Sequence, residues 1–274
     1  MLWYDKSLVA GAGIAFPDDT WSWDDLHAAA MRISRDANGD GVNDIWGMRT
    51  DLDYPLFDTL VKSYGGLVLT PDRRSAAINS AAAAEATRFL RTTIESGAAS
   101  PAAAVADGSA AFQVGGSWLT SRLASIDGLD WGVAITPKGP AARSVYGGSN
   151  QWEVVYRPSQ DLNAVWTILK ELVGREAMEA YWSSYNLAYG LPAVRSVAEE
   201  ISMNEVQQVL IASVPFMHDA DTSPDWAEWQ AAKRNEIMPA LLGERSVEES
   251  LARAALAIDV ILANAFGGSR SGGE

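Results

Sequence analysis

Cysteine is absent from this sequence, histidine is nearly so, and base is short of acid: 21 Lys plus Arg against 35 Asp plus Glu, a net charge of −14. Without cysteine there are no disulfides, thiolate metal sites or cysteine nucleophiles, although the compartment stays open. His27 and His218 are too few for a three-histidine metal site and leave histidine-based catalysis few arrangements. So acidic a chain repels phosphate backbones, which argues against nucleic acid as a partner. No apolar run approaches the roughly 18–20 residues that span a bilayer. The start, Met1-Leu2-Trp3-Tyr4-Asp5, has neither a charged n-region nor a long apolar h-region, so no export signal is expected in it.

What is present is ordinary globular material: 274 residues, 48% hydrophobic and 20% charged, enough for one large domain or two small ones. Tryptophan is over-represented, at 11. Leu2-Trp3-Tyr4 reads as a strand. Ser22 and Asp25 form a capping box before a helix carrying Trp23, Leu26, Ala30 and Ile33. Helices are expected over 55–64, stopped by Gly65-Gly66, and from Asn79 as cap to Gly97, with a short one over 98–106. Strands are expected at 110–114, 131–135 and 152–156, and a Pro/Gly-rich linker at 137–144. Asp161 opens a helix with Val165, Ile168, Leu169 and Leu172 inward. Further helices cover 175–185, 194–209 and 226–242, and a last one follows the Ser246/Glu249 capping box, before a flexible tail from 267. Few short strands among many helices imply α/β architecture.

The chemical motifs divide unevenly. Gly11-Ala12-Gly13 begins like a dinucleotide loop, but Phe16 replaces the third glycine and Pro17 follows where a helix should start. Ser117 and Ser149 follow Gly-Gly, yet Leu119 and Gln151 stand where a nucleophile elbow needs glycine. Those glycines read instead as places where backbone approaches a ligand. Among 35 acids, sequence cannot nominate a glycosidase pair. Asp36, Asn38, Asp40, Val42 and Asp44 match the start of a calcium loop, in which a glycine turn folds alternate oxygens onto one cation. Gly47 holds the twelfth position, where the bidentate acid belongs. The alternatives are a structural Ca2+ and an Asx-rich turn held by its own hydrogen bonds. Trp118 and Trp152 follow glycine-rich turns, and Trp182, Trp226 and Trp229 also lie near turns. An indole there is either core or a platform for the C–H faces of a sugar ring.

Taken in order, these segments resemble the extracellular solute-binding proteins of ABC transporters, in particular the sugar-binding, maltodextrin-binding-like group. Leu2-Trp3-Tyr4-Asp5-Lys6-Ser7-Leu8 resembles that family's "LYYNKDL", and 17–26 its "PPxTWxWDDL". Residues 36–44 resemble "DxDGDGxxD", and Tyr64-Gly65-Gly66 its "xGG" helix stop. Gly115-Gly116-Ser117-Trp118 is similar to "NGSW/NGPW", Gly147-Gly148-Ser149 with Trp152 to "GGGxxW", and Gly190-Leu191-Pro192-Ala193 to "GxLPA".

The resemblance implies a type II periplasmic-binding-protein fold and a non-enzymatic receptor that takes a carbohydrate in an inter-lobe cleft to the permease subunits of an importer. It implies an extracellular or periplasmic parent, soluble or a lipoprotein. In that family "LYYNKDL" follows most of the first lobe, so this chain reads as one complete lobe (1–143 and 203–274) with a remnant of the other (144–202). The apolar helix from Asp161 then loses part of its cover, and the chain alone is expected to bind sugar weakly or not at all. By resemblance Gly116, Ser117, Trp118 and Tyr54 face the cleft from one lobe, and Gly148, Ser149, Asn150, Trp152 and Tyr189 from the other. Trp226 or Trp229 adds a further platform. No cofactor is required. The competing classes are a glycoside hydrolase, marked by turnover, and an interaction module that binds no small solute.

Overall fold

The computed structural model describes residues 1–50, 54–147, 161–184, 190–192, 194–200 and 204–268, without the side chains of 54, 55, 181–184 and 268. The first half of the chain alternates β1 (Leu2–Asp5), α1 (Lys6–Gly11), α2 (Trp23–Ile33), β2 (Trp46–Arg49), α3 (Tyr54–Ser63), α4 (Ala81–Glu95), β3 (Ala99–Ser100), β4 (Ala110–Val114), α5 (Leu119–Ala124) and β5 (Trp131–Ala134). The second half runs β6 (Val145–Gly147), α6 (Leu162–Leu172), α7 (Arg175–Ser184), α8 (Arg195–Glu200), α9 (Glu205–Ser213), β7 (Met217–Asp219), α10 (Trp226–Leu241) and α11 (Val247–Gly268).

Five strands form one sheet in the order β3-β2-β4-β1-β5, and β6 pairs with β7 in parallel. β2 is parallel to β3 and β4, whereas β1 is antiparallel to both of its neighbours, β4 and β5. β1 shows why the sheet must be covered twice. Its side chains alternate between faces, and all four residues are buried. Leu2 and Tyr4 enter the main core with α2, α3, α4, α10 and α11. Trp3 enters a second cluster with Val105, Leu119, Leu123, Val133 and Val206, the last from α9.

Helix ends follow local chemistry. Asp25 accepts from the Ser22 backbone N–H at 2.9 Å while its own N–H donates to Ser22 Oγ at 3.1 Å, the expected reciprocal cap of α2. Gly65 and Gly97 stop α3 and α4 with φ of +85° and +75°.

Several expectations are corrected. Asp5 accepts from Leu8 N–H and so starts α1, a helix the sequence reading missed, as it missed β2. Ser80, not Asn79, caps α4. Residues 98–106 hold β3 and the start of a 3-10 turn (Val105–Asp107), because strand pairing with Met48 overrides alanine's helix propensity. The 137–144 segment is no linker: Lys138 exchanges backbone hydrogen bonds with Trp21 and Trp23, and Gly139 packs on Ser63. The expected 194–209 helix contains α8 and α9 as separate elements. α6 buries none of its residues, and Trp166 is 61% exposed. α11 is long and apolar enough over Val247–Gly267 to cross a bilayer by length and composition. Its Leu251, Ala254, Ile258 and Leu262, however, lie in the main core. The expected strand at 152–156 lies outside the described residues.

Gly47 sets the distance between α2 and the sheet: a Cβ there falls 2.2 Å from the Ala30 backbone. Gly47→Ala is therefore expected to destabilise the fold by about 1–3 kcal/mol through overpacking. Gly11→Ala, where nothing lies within 4 Å, serves as the control and is expected to stay within about 0.5 kcal/mol of the parent. Urea unfolding of both variants checks the difference.

Candidate functional site

Parallel pairing of β2 and β4, with Met48 opposite Phe112, brings the carboxyl ends of both strands to one edge of the sheet. Open α/β sheets bind ligands at such an edge. The amino end of β1 and the carboxyl end of β5 meet there too, with Leu2 between Val114 and Ala134. The chain leaves β4 into Gly115-Gly116-Ser117-Trp118, and α3, which follows β2, begins at Tyr54.

The β4 turn is tied down from behind. Gly115 C=O accepts from the Met1 nitrogen at 2.9 Å and from Trp3 Nε1–H at 3.3 Å, while Gly115 N–H donates to Met1 C=O at 3.0 Å. Ser117 C=O accepts from the Thr120 N–H and hydroxyl at 3.0 and 2.7 Å, opening α5. Trp118 is 49% exposed. A Cβ on Gly116 falls 1.9–2.3 Å from its indole carbons, so one ring face lies against Gly116 and no larger residue fits beneath it. An indole braced on one side and partly open on the other offers a flat apolar platform beside backbone polar groups.

The remaining sequence-nominated residues scatter. Tyr54 is placed by its backbone at the first turn of α3. Gly148, Ser149, Asn150, Trp152 and Tyr189 lie outside the described residues. Trp229 is corrected: it is fully buried on the inner stripe of α10 with Lys233 and Ile237, so it belongs to the core and offers no platform. That stripe was legible as i, i+4, i+8 spacing. Sequence reasoning missed Lys233 itself, which pairs with Asp58, each side chain 1% exposed. The available signal was a lysine on an otherwise apolar helix face. In β7, His218 lies edge-on to Tyr146 of β6 (5.8 Å, 87°), and burial holds its imidazole below the ordinary range.

The Asp36–Asp44 loop turns its carboxylates inward. Asp36 accepts from Gly39 and Gly41 N–H at 2.6 and 2.7 Å, and Asp44 from Ala37 and Asn38 N–H at 2.7 and 3.0 Å. The Gly41 and Gly39 bonds hold the Asp36 carboxyl below the usual range. Among the described residues no group of three or more His, Cys, Asp or Glu is spaced to hold a metal. The loop of Asp36, Asn38, Asp40, Val42 and Asp44 is an Asx-type turn held by hydrogen bonds from its own backbone N–H groups.

Comparison with known proteins follows the same outline. The profile of a family described as bacterial extracellular solute-binding protein matches residues 1–179. A search of curated proteins finds no match. Among solved structures, the cyclic alpha-maltosyl-1,6-maltose binding protein from Arthrobacter globiformis has a TM-score of 0.77 at 23% identity, over 96% of this chain and 70% of that one. The maltose/maltodextrin-binding domain MalE from Bdellovibrio bacteriovorus, bound to maltotriose, has a TM-score of 0.71 at 17% identity, over 95% and 69%. UgpB from Mycobacterium tuberculosis, in complex with glycerophosphocholine, has a TM-score of 0.72 at 19% identity, over 95% and 67%. The fold is that of type II periplasmic binding proteins.

Because the 36–44 loop closes on itself, removing divalent cations with EDTA is expected to leave the unfolding temperature unchanged, and calcium titration to release no saturable heat. With its folded-state carboxyl below the ordinary value, Asp36 stabilises the loop above that value and loses this as pH falls through its folded midpoint. A carboxyl-carbon NMR titration is expected to show that lowered midpoint.

Proposed function

Because the chain belongs to the bacterial extracellular solute-binding protein family, we propose that it is the substrate-binding component of an ABC-type importer. It holds a carbohydrate at the sheet edge and presents it to the permease. The single observation that carries this is Trp118: half-exposed, braced on Gly116, at the carboxyl end of a strand parallel to the one that leads to Tyr54. Such a ring packs on sugar C–H faces, while Ser117 and the turn backbone meet hydroxyls. Tyr54 contributes a second aromatic, and Gly148, Ser149, Asn150, Trp152 and Tyr189 contribute from the opposite side of the cleft. The protein works as a receptor, without catalysis or a required cofactor, in an extracellular or periplasmic setting, as a soluble protein or a lipoprotein.

Two relatives carry sugars or sugar names and a third carries glycerophosphocholine. About three tenths of the Arthrobacter relative has no counterpart here. Affinity of this chain alone is therefore expected to be weak, in the millimolar range, with a single aromatic platform doing most of the holding.

Indole N–H resonances followed by NMR provide the test. Maltotriose is expected to move the Trp118 signal saturably. Trp118→Ala is expected to weaken binding by about 1–3 kcal/mol. Movement with glycerophosphocholine but not maltotriose would reassign the solute class. Hydrolysis of a chromogenic glycoside would replace receptor with enzyme.

A further inference from the structure

α3 is buried nearly all round: from Leu56 to Val61 every side chain is buried, Asp58 and Thr59 included, and Ser63 as well. An amphipathic helix takes its rotation from the boundary between its apolar and polar faces. On α3 the polar residues Asp58, Thr59 and Ser63 are buried together with the apolar ones, so its rotation and axial register depend on the partners those polar groups find. Those two coordinates decide where its first turn, Tyr54, stands at the sheet edge.

Two sets of contacts on α3 are directional: at its carboxyl end Ser63 C=O accepts from the Ala141 and Ala142 N–H groups at 3.1 and 3.2 Å, and further up the helix a pair of side chains meets α10. Asp58 pairs with Lys233 of α10 inside the core, and Gln230, one turn earlier on α10, reaches the same carboxylate at 3.4 Å. Lys233 is further fixed over the rings of Phe57 and Trp229, at 5.6 and 5.7 Å. Lys62 pairs with Asp221, just beyond β7, at 3.2 Å. Residues 54, 58 and 62 stand four apart, one above another on a single stripe of the helix. The stripe that begins at Tyr54 therefore carries both ion pairs.

We infer that the Asp58–Lys233 pair is a positioning device: it sets the rotation of α3 and thereby the place of Tyr54 at the sheet edge. A buried ion pair is weak as a source of stability, and its best-attested use is to specify register. Here the register belongs to the helix that opens the ligand edge. The inference rests on Tyr54 being a ligand contact, but its test does not require a bound ligand.

The sequence has no cysteine, so spin labels at Tyr54→Cys and at exposed Ala124→Cys, at the end of α5, mark only those two sites. Their distance distribution is measured in the parent, in Asp58→Leu/Lys233→Met, and in the reversed pair Asp58→Lys/Lys233→Asp. The apolar pair is expected to keep the parent's circular dichroism and unfolding temperature. Its distribution is expected to broaden or shift by about 5 Å, the scale of a helix turning on its roughly 10 Å wide cylinder. The reversed pair is expected to restore the parent's narrow distribution. An apolar pair with the parent's distribution overturns the inference, because packing alone would then position α3. If the apolar pair does not fold, the reversed pair decides: a narrow parental distribution supports the inference and a broad one overturns it. Maltotriose titration of the unlabelled variants is expected to show affinity reduced at least about fivefold in the apolar pair and recovered in the reversed one. A parent that binds no maltotriose counts against the carbohydrate assignment and leaves the distance result to judge the positioning role.

Discussion

β2 and β4 run side by side in the same direction, so the chain leaves both at one edge of the sheet. Everything proposed for this protein follows from that pairing. It directs the chain toward the Gly115–Trp118 turn and toward α3 from the same edge of the sheet, although about sixty residues of sequence separate Tyr54 from Trp118. β1 completes the arrangement. Inserted antiparallel between β4 and β5, it lends the Met1 and Trp3 nitrogens to the Gly115 carbonyl and so immobilises the turn beneath the indole. Aromatic recognition needs such support, because a ring that must first be ordered spends binding energy on its own entropy.

Burial sorts the tryptophans by role. Trp3, Trp23 and Trp229 are among the largest fully buried side chains and fill the two cores on opposite faces of the sheet. Trp118 is held half-open by glycine. Trp166 stands out from α6, whose Leu162, Ile168 and Leu172 are exposed with it. An apolar helix face left in solvent marks a surface built to be covered.

Charge is used sparingly inside and freely outside. Asp58 and Lys233 are a fully buried opposite pair, a costly arrangement wherever one partner is lost. At the surface, carboxylates such as Asp25 and Asp36 are spent on nearby backbone N–H groups, closing a helix start and a loop. Part of the acidic excess thus serves local turn and cap chemistry.

Local chemistry made much of the fold legible in advance. Ser22 with Asp25, Gly65 and Gly97 are start and stop signals that act within a few residues, and they stand where the sequence placed them. The ordered run of short segments was enough to point to the solute-binding family and its two-lobed fold, because each segment encodes a turn or cap the fold reuses. Tertiary structure alone decided the rest. β2 and β3 are too short to carry a pattern, and they become strands only because β4 offers unpaired backbone to one and β2 to the other. Trp118 and Trp229 look alike in sequence, each an indole near a turn. Which one faces solvent was settled by what packs on it: the glycine beneath one, and the α10 core around the other. The Asp36–Asp44 spacing alone says nothing of where its carboxylates turn, and only the folded backbone aims its N–H groups at them.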